Sequence, residues 1–150
     1  MSLELIIQIA TLVSGIASLA GIAGLIATIV IYKRQMTAMM FLEYTKRYEE
    51  IVDSFPTNAW AYRLNSAADL PLTSPELTKS ILKYLNICCE EYTLCQKGYL
   101  AKDIWSMWEG IVKRVLRSPL FRREWPSLAV EFESYPEFSK YVEEIQNNQK

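Results

Sequence analysis

"SGIASLAGIAGLIAT" (Ser14–Thr28) decides how the chain is organised. It carries no charge, and a small side chain returns at nearly every helical turn. The uncharged run extends both ways from there, from Leu5 to Tyr32, 28 residues in all. As a helix it measures about 42 Å, more than the ~30 Å hydrocarbon core of a bilayer. Glu4 precedes it and Lys33-Arg34 follow it. A secretory signal puts basic residues ahead of a short apolar core. Here the order is an acidic start, a long span and then a basic pair. Residues 1–32 therefore read as an uncleaved transmembrane anchor. All 16 Lys and Arg residues follow it. Positive residues stay cytoplasmic, which puts the N-terminus outside and residues 33–150 at the cytoplasmic face of the plasma (inner) membrane.

The small residues are not scattered. Ala10, Ser14, Ala17, Gly21, Gly24 and Thr28 step by four, three, four, three and four, so one helix face holds them all. Leu12, Ile16, Leu19, Ile22, Ile26 and Ile29 fall on the opposite face. Within lipid, close backbone approach drives helices together, and hydroxyls can bond across the seam. A sustained seven-residue repeat favours a left-handed crossing. The face is expected to pack against another membrane helix, its own copy or a partner subunit. The bland alternative is that Gly and Ala are common in membrane helices. Gly21 and Gly24 are three apart, so the strict Gly-x-x-x-Gly spacing is absent. Gln8 lies near the outer boundary. A single span without ionisable residues offers no route for ions or protons.

Residues 33–150 hold 16 basic and 16 acidic groups, and the whole chain has a net charge of −1. That balance argues against a nucleic-acid binder. Three cysteines, two of them adjacent, make a poor disulfide framework and suit a reducing compartment. Without histidine, Ser-His, Cys-His and His-metal chemistry is excluded.

The cytoplasmic part reads as helical throughout. Phe41, Tyr44, Tyr48, Ile51 and Phe55 recur at three and four residues, so the anchor is expected to continue into an amphipathic helix ending at Phe55-Pro56. Trp60, Tyr62 and Leu64 suggest a short helical turn, and "NSAADLPLTSP" a loop. Ser74 and Pro75 open a helix with Leu77, Ile81, Leu85, Cys88 and Tyr92 on its buried stripe, and Gly98 closes it. Ile104, Trp105, Trp108, Ile111, Val112 and Val115 line the next, where Gly110 hints at close packing. Ser118-Pro119 caps another, which Pro126 is expected to kink or split. Tyr135-Pro136 opens the last, and "QNNQK" is expected to fray. No strand pattern or repeat is present. The fold class is all-α: one N-terminal transmembrane helix plus a four- to five-helix cytosolic bundle.

Candidate chemistry is sparse. Cys88, Cys89 and Cys95 lack a fourth ligand for zinc and lack the two-residue spacer of redox pairs. Buried structural cysteines are expected, with no metal and no cofactor. Glu90 and Glu91 point about 100 degrees apart on a helix, which makes them poor acid–base partners. Glu91, at the edge of the apolar stripe, is expected to pair with an Arg of a neighbouring helix. Lys113, Arg114, Arg117, Arg122 and Arg123 form a basic cluster. It suits anionic headgroups or an acidic partner, at about 1 kcal/mol per residue near a charged leaflet. Pairing with Glu109 or Glu124 is the plainer account.

The strings "FLEYTKRYEEI" (41–51), "LNICCEEYTLCQKGYL" (85–100), "IWSMWE" (104–109) and "LRSPLFRREW" (116–125) resemble a family of small bacterial proteins of unknown function. Its members have one N-terminal membrane helix and a compact helical domain. The resemblance covers roughly residues 33–145 and implies an aromatic, Glu-containing core and bacterial origin. It transfers no functional residue.

The expected function is that of a non-catalytic, single-pass membrane protein: an accessory subunit, adaptor or scaffold, in contact with lipid and with another transmembrane helix. Two other classes remain open. One is a small oligomerising effector that perturbs membranes. The other is a membrane-tethered enzyme, which needs a polar pocket with converging charged groups.

Overall fold

The computed structural model of the chain describes residues 2–64 and 69–147, except the side chains of residues 60, 61, 63 and 64. No proline interrupts the first 55 residues, and helix α1 spans Leu3–Asp53, 51 residues. It stops slightly before the expected Phe55-Pro56 boundary. The N–H groups of Ser54 and Phe55 turn back to the carbonyls of Ile51 and Val52 at 3.0 and 3.1 Å. These short-range bonds tighten the last turn, where Pro56 disfavours helical geometry at Phe55. Helix α2 (Thr57–Leu64) follows. The expected loop then lies partly outside the described residues, at 65–68, and residues 69–74 are non-helical.

Helix α3 (Pro75–Gln96) begins as its local sequence requires. The Ser74 hydroxyl accepts from the Leu77 N–H at 3.2 Å, and Pro75 occupies a position that needs no donor. At its other end Gly98 has φ +73°, a left-handed conformation costly for any residue with a Cβ. The N–H groups of Tyr99 and Leu100 return to the Leu94 carbonyl at 2.9 and 3.1 Å, satisfying the helix end.

Helix α4 (Lys102–Leu116) and helix α5 (Pro119–Leu128) are separated by Arg117 and Ser118, and the Ser118 hydroxyl accepts from Phe121 N–H at 3.4 Å. Helix α5 runs through Pro126, stops at Leu128 and passes into a 3-10 turn, Ala129–Phe132. Helix α6 (Pro136–Asn147) ends the described chain, so the last part of the expected frayed tail lies outside it. Every regular element among the described residues is helical, so the class is all-α.

Two compact units divide the chain, Met1–Met40 and Phe41–Lys150. In the first, every residue from Ser2 to Met36 is exposed. The second has a core built around Ile81, Leu85, Leu116, Phe132, Phe138 and Val142, all at or near zero exposure. Each such side chain contributes roughly 1.5–3 kcal/mol by leaving water. Aromatic pairs link the elements: Trp125 and Phe132 at 5.7 Å, Phe132 and Phe138 at 5.3 Å, Tyr92 and Tyr141 at 4.7 Å. The α3 stripe is wider than expected. Ser80, Tyr84, Ile87, Cys89 and Glu91 join it, because neighbours cover the helix on more than one side, whereas Tyr92, expected on the buried stripe, is only half-buried.

Two expectations for α4 need correction. Gly110 does not mark close packing, since a Cβ built there would meet nothing within 4 Å. Ile111 is not core but 36% exposed. It stands at the wall of a cavity described below.

Candidate functional site

The first candidate is the apolar half of α1. Leu12, Leu19 and Leu25 are each about two-thirds exposed, and no residue of the helix's most apolar window is buried. Ala10, Ser14, Ala17, Gly21, Gly24 and Thr28 are all exposed too, and a Cβ added at Gly21 or Gly24 would meet open space. The hydroxyls have local partners. Thr11 donates to the Ile7 carbonyl at 2.9 Å, Ser18 to Ser14 at 2.9 Å and Thr28 to Gly24 at 2.8 Å. Each bond folds a polar group back onto the helix, which lowers the cost of placing it in hydrocarbon. Among the described residues this is the one helix long and apolar enough to cross a membrane.

The second candidate lies inside the helical domain. A cavity of about 150 Å³ opens between the C-terminal part of α1, α3 and α4. Helix α1 supplies Tyr44, Thr45 and Tyr48. Helix α3 supplies Tyr84, Ile87, Cys88 and Glu91, and α4 supplies Trp108, Ile111 and Val112. The spacings are helical. Tyr44 and Tyr48 are four apart; Tyr84, Cys88 and Glu91 follow at four and three, which puts each set on one face. Two ring pairs frame the space: Tyr44 with Trp108 at 5.8 Å, and Tyr48 with Tyr84 at 6.2 Å.

Among the described residues Glu91 is the one acidic group in that wall, and it is 6% exposed. No described residue hydrogen-bonds to its carboxyl. Burial pushes its pKa up to about 8, against the opposing pull of Arg47 and with a smaller push from Glu90. An ionised carboxylate is poorly solvated there, so the neutral acid is favoured at pH 7.

The expected Arg partner of Glu91 goes elsewhere. Arg47 of α1 grips Glu90, with Nη1 to Oε2 at 2.6 Å and Nη2 to Oε1 at 3.1 Å. The same guanidinium sits 5.3 Å from the Tyr44 ring centre, and the Tyr44 hydroxyl donates to Glu90 at 3.4 Å. Glu90 and Glu91 point about 100 degrees apart on α3, so one arginine cannot serve both equally. Glu90 takes the fork from the solvent side, and Glu91 is left inside. Burial and the charge of Glu90 raise the pKa of the Tyr44 phenol, and the hydrogen bond to Glu90 raises that of Arg47.

Comparison with known proteins gives no match, whether to a family model, a curated protein or a solved structure. The functional reading therefore rests on this chain's own residues.

The basic cluster divides. Lys113 pairs with Glu109 at 2.8 Å. Arg123 is a structural strut: its Nε and Nη2 both reach Glu124 Oε1 at 2.8 Å, and its Nη1 donates to the Pro71 carbonyl at 2.6 Å. Glu124 is 3% exposed and also accepts from the Thr73 hydroxyl at 2.8 Å. This network ties α5 to the segment ahead of α3. Arg122 is half-buried, and Arg114 and Arg117 are exposed. Five basic residues close in sequence thus leave two fully at the surface.

Of the cysteines, Cys88 and Cys89 are buried and Cys95 is partly exposed. Burial pushes the Cys89 thiol up to about 11, which makes it a poor nucleophile and metal ligand at neutral pH. Among the described residues no group of three His, Cys, Asp or Glu is arranged to hold a metal ion.

Proposed function

We propose that this chain is a non-catalytic, single-pass membrane protein whose helical domain acts as an interaction module: an accessory subunit, adaptor or scaffold. The observation that carries the reading is the complete exposure of Ser2–Met36, in which every larger side chain from Leu5 to Ile31 except Gln8 is aliphatic. A run of that size left in water forgoes tens of kcal/mol of apolar transfer, at about 25 cal/mol per Å². A bilayer supplies that transfer. Glu4 at one end and Lys33-Arg34 at the other favour an outside N-terminus and a domain at the cytoplasmic face of the plasma membrane.

The small-residue face of α1 is the surface on which a second membrane helix packs, from another copy or from a partner subunit. Replacing Gly21 and Gly24 would fill the space that a close crossing needs. The cavity supports binding rather than turnover, because it offers one carboxyl among aromatic walls and no set of converging charges.

The test is crosslinking in native membranes, followed by identification of the products. Dimers or a defined second protein, weakened when Gly21 and Gly24 both become Leu, support the reading. Recovery of free monomer alone counts against it.

A further inference from the structure

The cavity between α1, α3 and α4 asks what its occupant would be. Two independent features bear on the answer. The first is shape and surface. About 150 Å³ walled by Tyr44, Tyr48, Tyr84 and Trp108 matches a guest of roughly benzene size. Aromatic faces carry negative charge density and attract cations held over them. The second is the charge left over. Arg47, the cation that acts on Glu91 among the described residues, is already engaged by both oxygens of Glu90. If Glu91 ionises, the group Arg47, Glu90 and Glu91 carries one net negative charge at the cavity wall.

We propose that this cavity is a binding site for a small organic cation of the alkylammonium class, held by the faces of Tyr44, Tyr48, Tyr84 and Trp108 with Glu91 as its counter-ion. An anion would meet electron-rich rings and a second negative charge. A purely apolar guest would leave a 6% exposed carboxyl without any partner. A monovalent cation brings the one charge that Glu91 lacks.

The site has a built-in signature. Glu91, pushed up to about 8 by burial, holds its proton at pH 7 in the empty cavity. A permanent cation then displaces that proton on binding. Affinity therefore rises about tenfold from pH 7 to pH 9, as the proton no longer has to be removed. The other groups facing Glu91 do not reproduce this trend. Arg47 and Glu90 remain an ion pair, the raised Tyr44 phenol stays neutral, and α4 contributes Trp108, Ile111 and Val112, which do not titrate. Thr45, Tyr48, Tyr84, Ile87 and Cys88 also line the wall among the described residues, and loss of the pH dependence in Glu91→Gln is what separates Glu91 from the Cys88 thiol.

The experiment uses the full chain in a non-ionic detergent, with tetramethylammonium as probe and tert-butanol as its neutral counterpart, read by calorimetry at pH 7, 8 and 9. The expected result is saturable tetramethylammonium binding that tightens about tenfold across that range and exceeds tert-butanol binding. Glu91→Gln should lose at least tenfold in affinity together with the pH dependence, and Trp108→Leu should weaken binding at every pH. Helical circular dichroism and melting confirm that both variants are folded. No saturable binding, equal binding by Glu91→Gln, or tighter binding of tert-butanol overturns the proposal. Crosslinking in membranes tests the anchor separately, so either idea can fail alone.

Discussion

Arg47 on α1 and Glu90 on α3 form a two-pronged ion pair, 43 residues apart in sequence and 2.6 Å apart at its shorter contact. It joins the C-terminal part of α1 to α3 within the helical domain. Its side chains are 36% and 46% exposed, so water screens it and its net worth is about 0.5–1 kcal/mol. Its larger effect is to commit Arg47, the cation that acts on Glu91 among the described residues, to the neighbouring glutamate instead.

That arrangement predicts opposite shifts at Glu91. Arg47→Met removes a charge that holds its pKa down, and Glu90→Gln removes one that holds it up. Carboxyl carbon NMR titration should show the Glu91 midpoint moving up in the first variant and down in the second. A midpoint indifferent to both changes would mean that Glu91 does not sense the pair.

Stability should follow pH through the same group. The folded chain keeps the Glu91 proton up to about pH 8, whereas an unfolded glutamate loses it near 4.5. Between those values the folded state binds more protons, so stability falls as pH rises from about 5 to 8 and then levels off. Glu91→Gln should remove that slope and raise the melting temperature most at pH 8, by roughly 1–3 kcal/mol of stability. Parallel pH profiles for the two proteins would contradict this.

The Glu124 network gives a third prediction. Glu124→Ala leaves Thr73 and Arg123 without their shared acceptor and should cost about 2–4 kcal/mol. Glu124→Gln keeps an acceptor for Thr73 and should cost less. Urea unfolding in detergent, with equal slopes for all three proteins, measures both.

Much of the fold was written in short stretches. Ser74-Pro75, Gly98 and Ser118-Pro119 act through bonds within a turn, so the helix ends they set need no tertiary partner. The long apolar stretch of α1 likewise follows from 28 adjacent residues. The cavity was harder to see, because Tyr44, Tyr84 and Trp108 come from three helices and only packing brings them together. A trace of it was present: Glu91 stands three and four residues after Cys88 and Ile87, within an otherwise apolar stripe. Which glutamate Arg47 would choose was not legible. That depends on the rotation of α3 against α1, and a single residue step changes it by about 100 degrees. The plainer account of the basic cluster was legible in the sequence and holds for two members, Lys113 with Glu109 and Arg123 with Glu124, whereas the second hold on Arg123, the Pro71 carbonyl, depends on packing.

Thiol reactivity offers a fourth check. Cys95 is partly exposed, whereas Cys88 and Cys89 are buried and the Cys89 thiol ionises only near pH 11. A short pulse of iodoacetamide at pH 7.5 should alkylate Cys95 first, as read by peptide mass spectrometry. Faster labelling of Cys89 would mean that α3 is less covered than described.

The central claim is that the apolar part of α1 resides in a bilayer. Alkaline carbonate extraction of membranes containing the native chain, with intact mass measured on each fraction, tests it most directly. The account predicts the full-length chain in the pellet, released only by detergent. Recovery of the intact chain in the carbonate supernatant, or of a shortened chain lacking its first thirty residues, would contradict it.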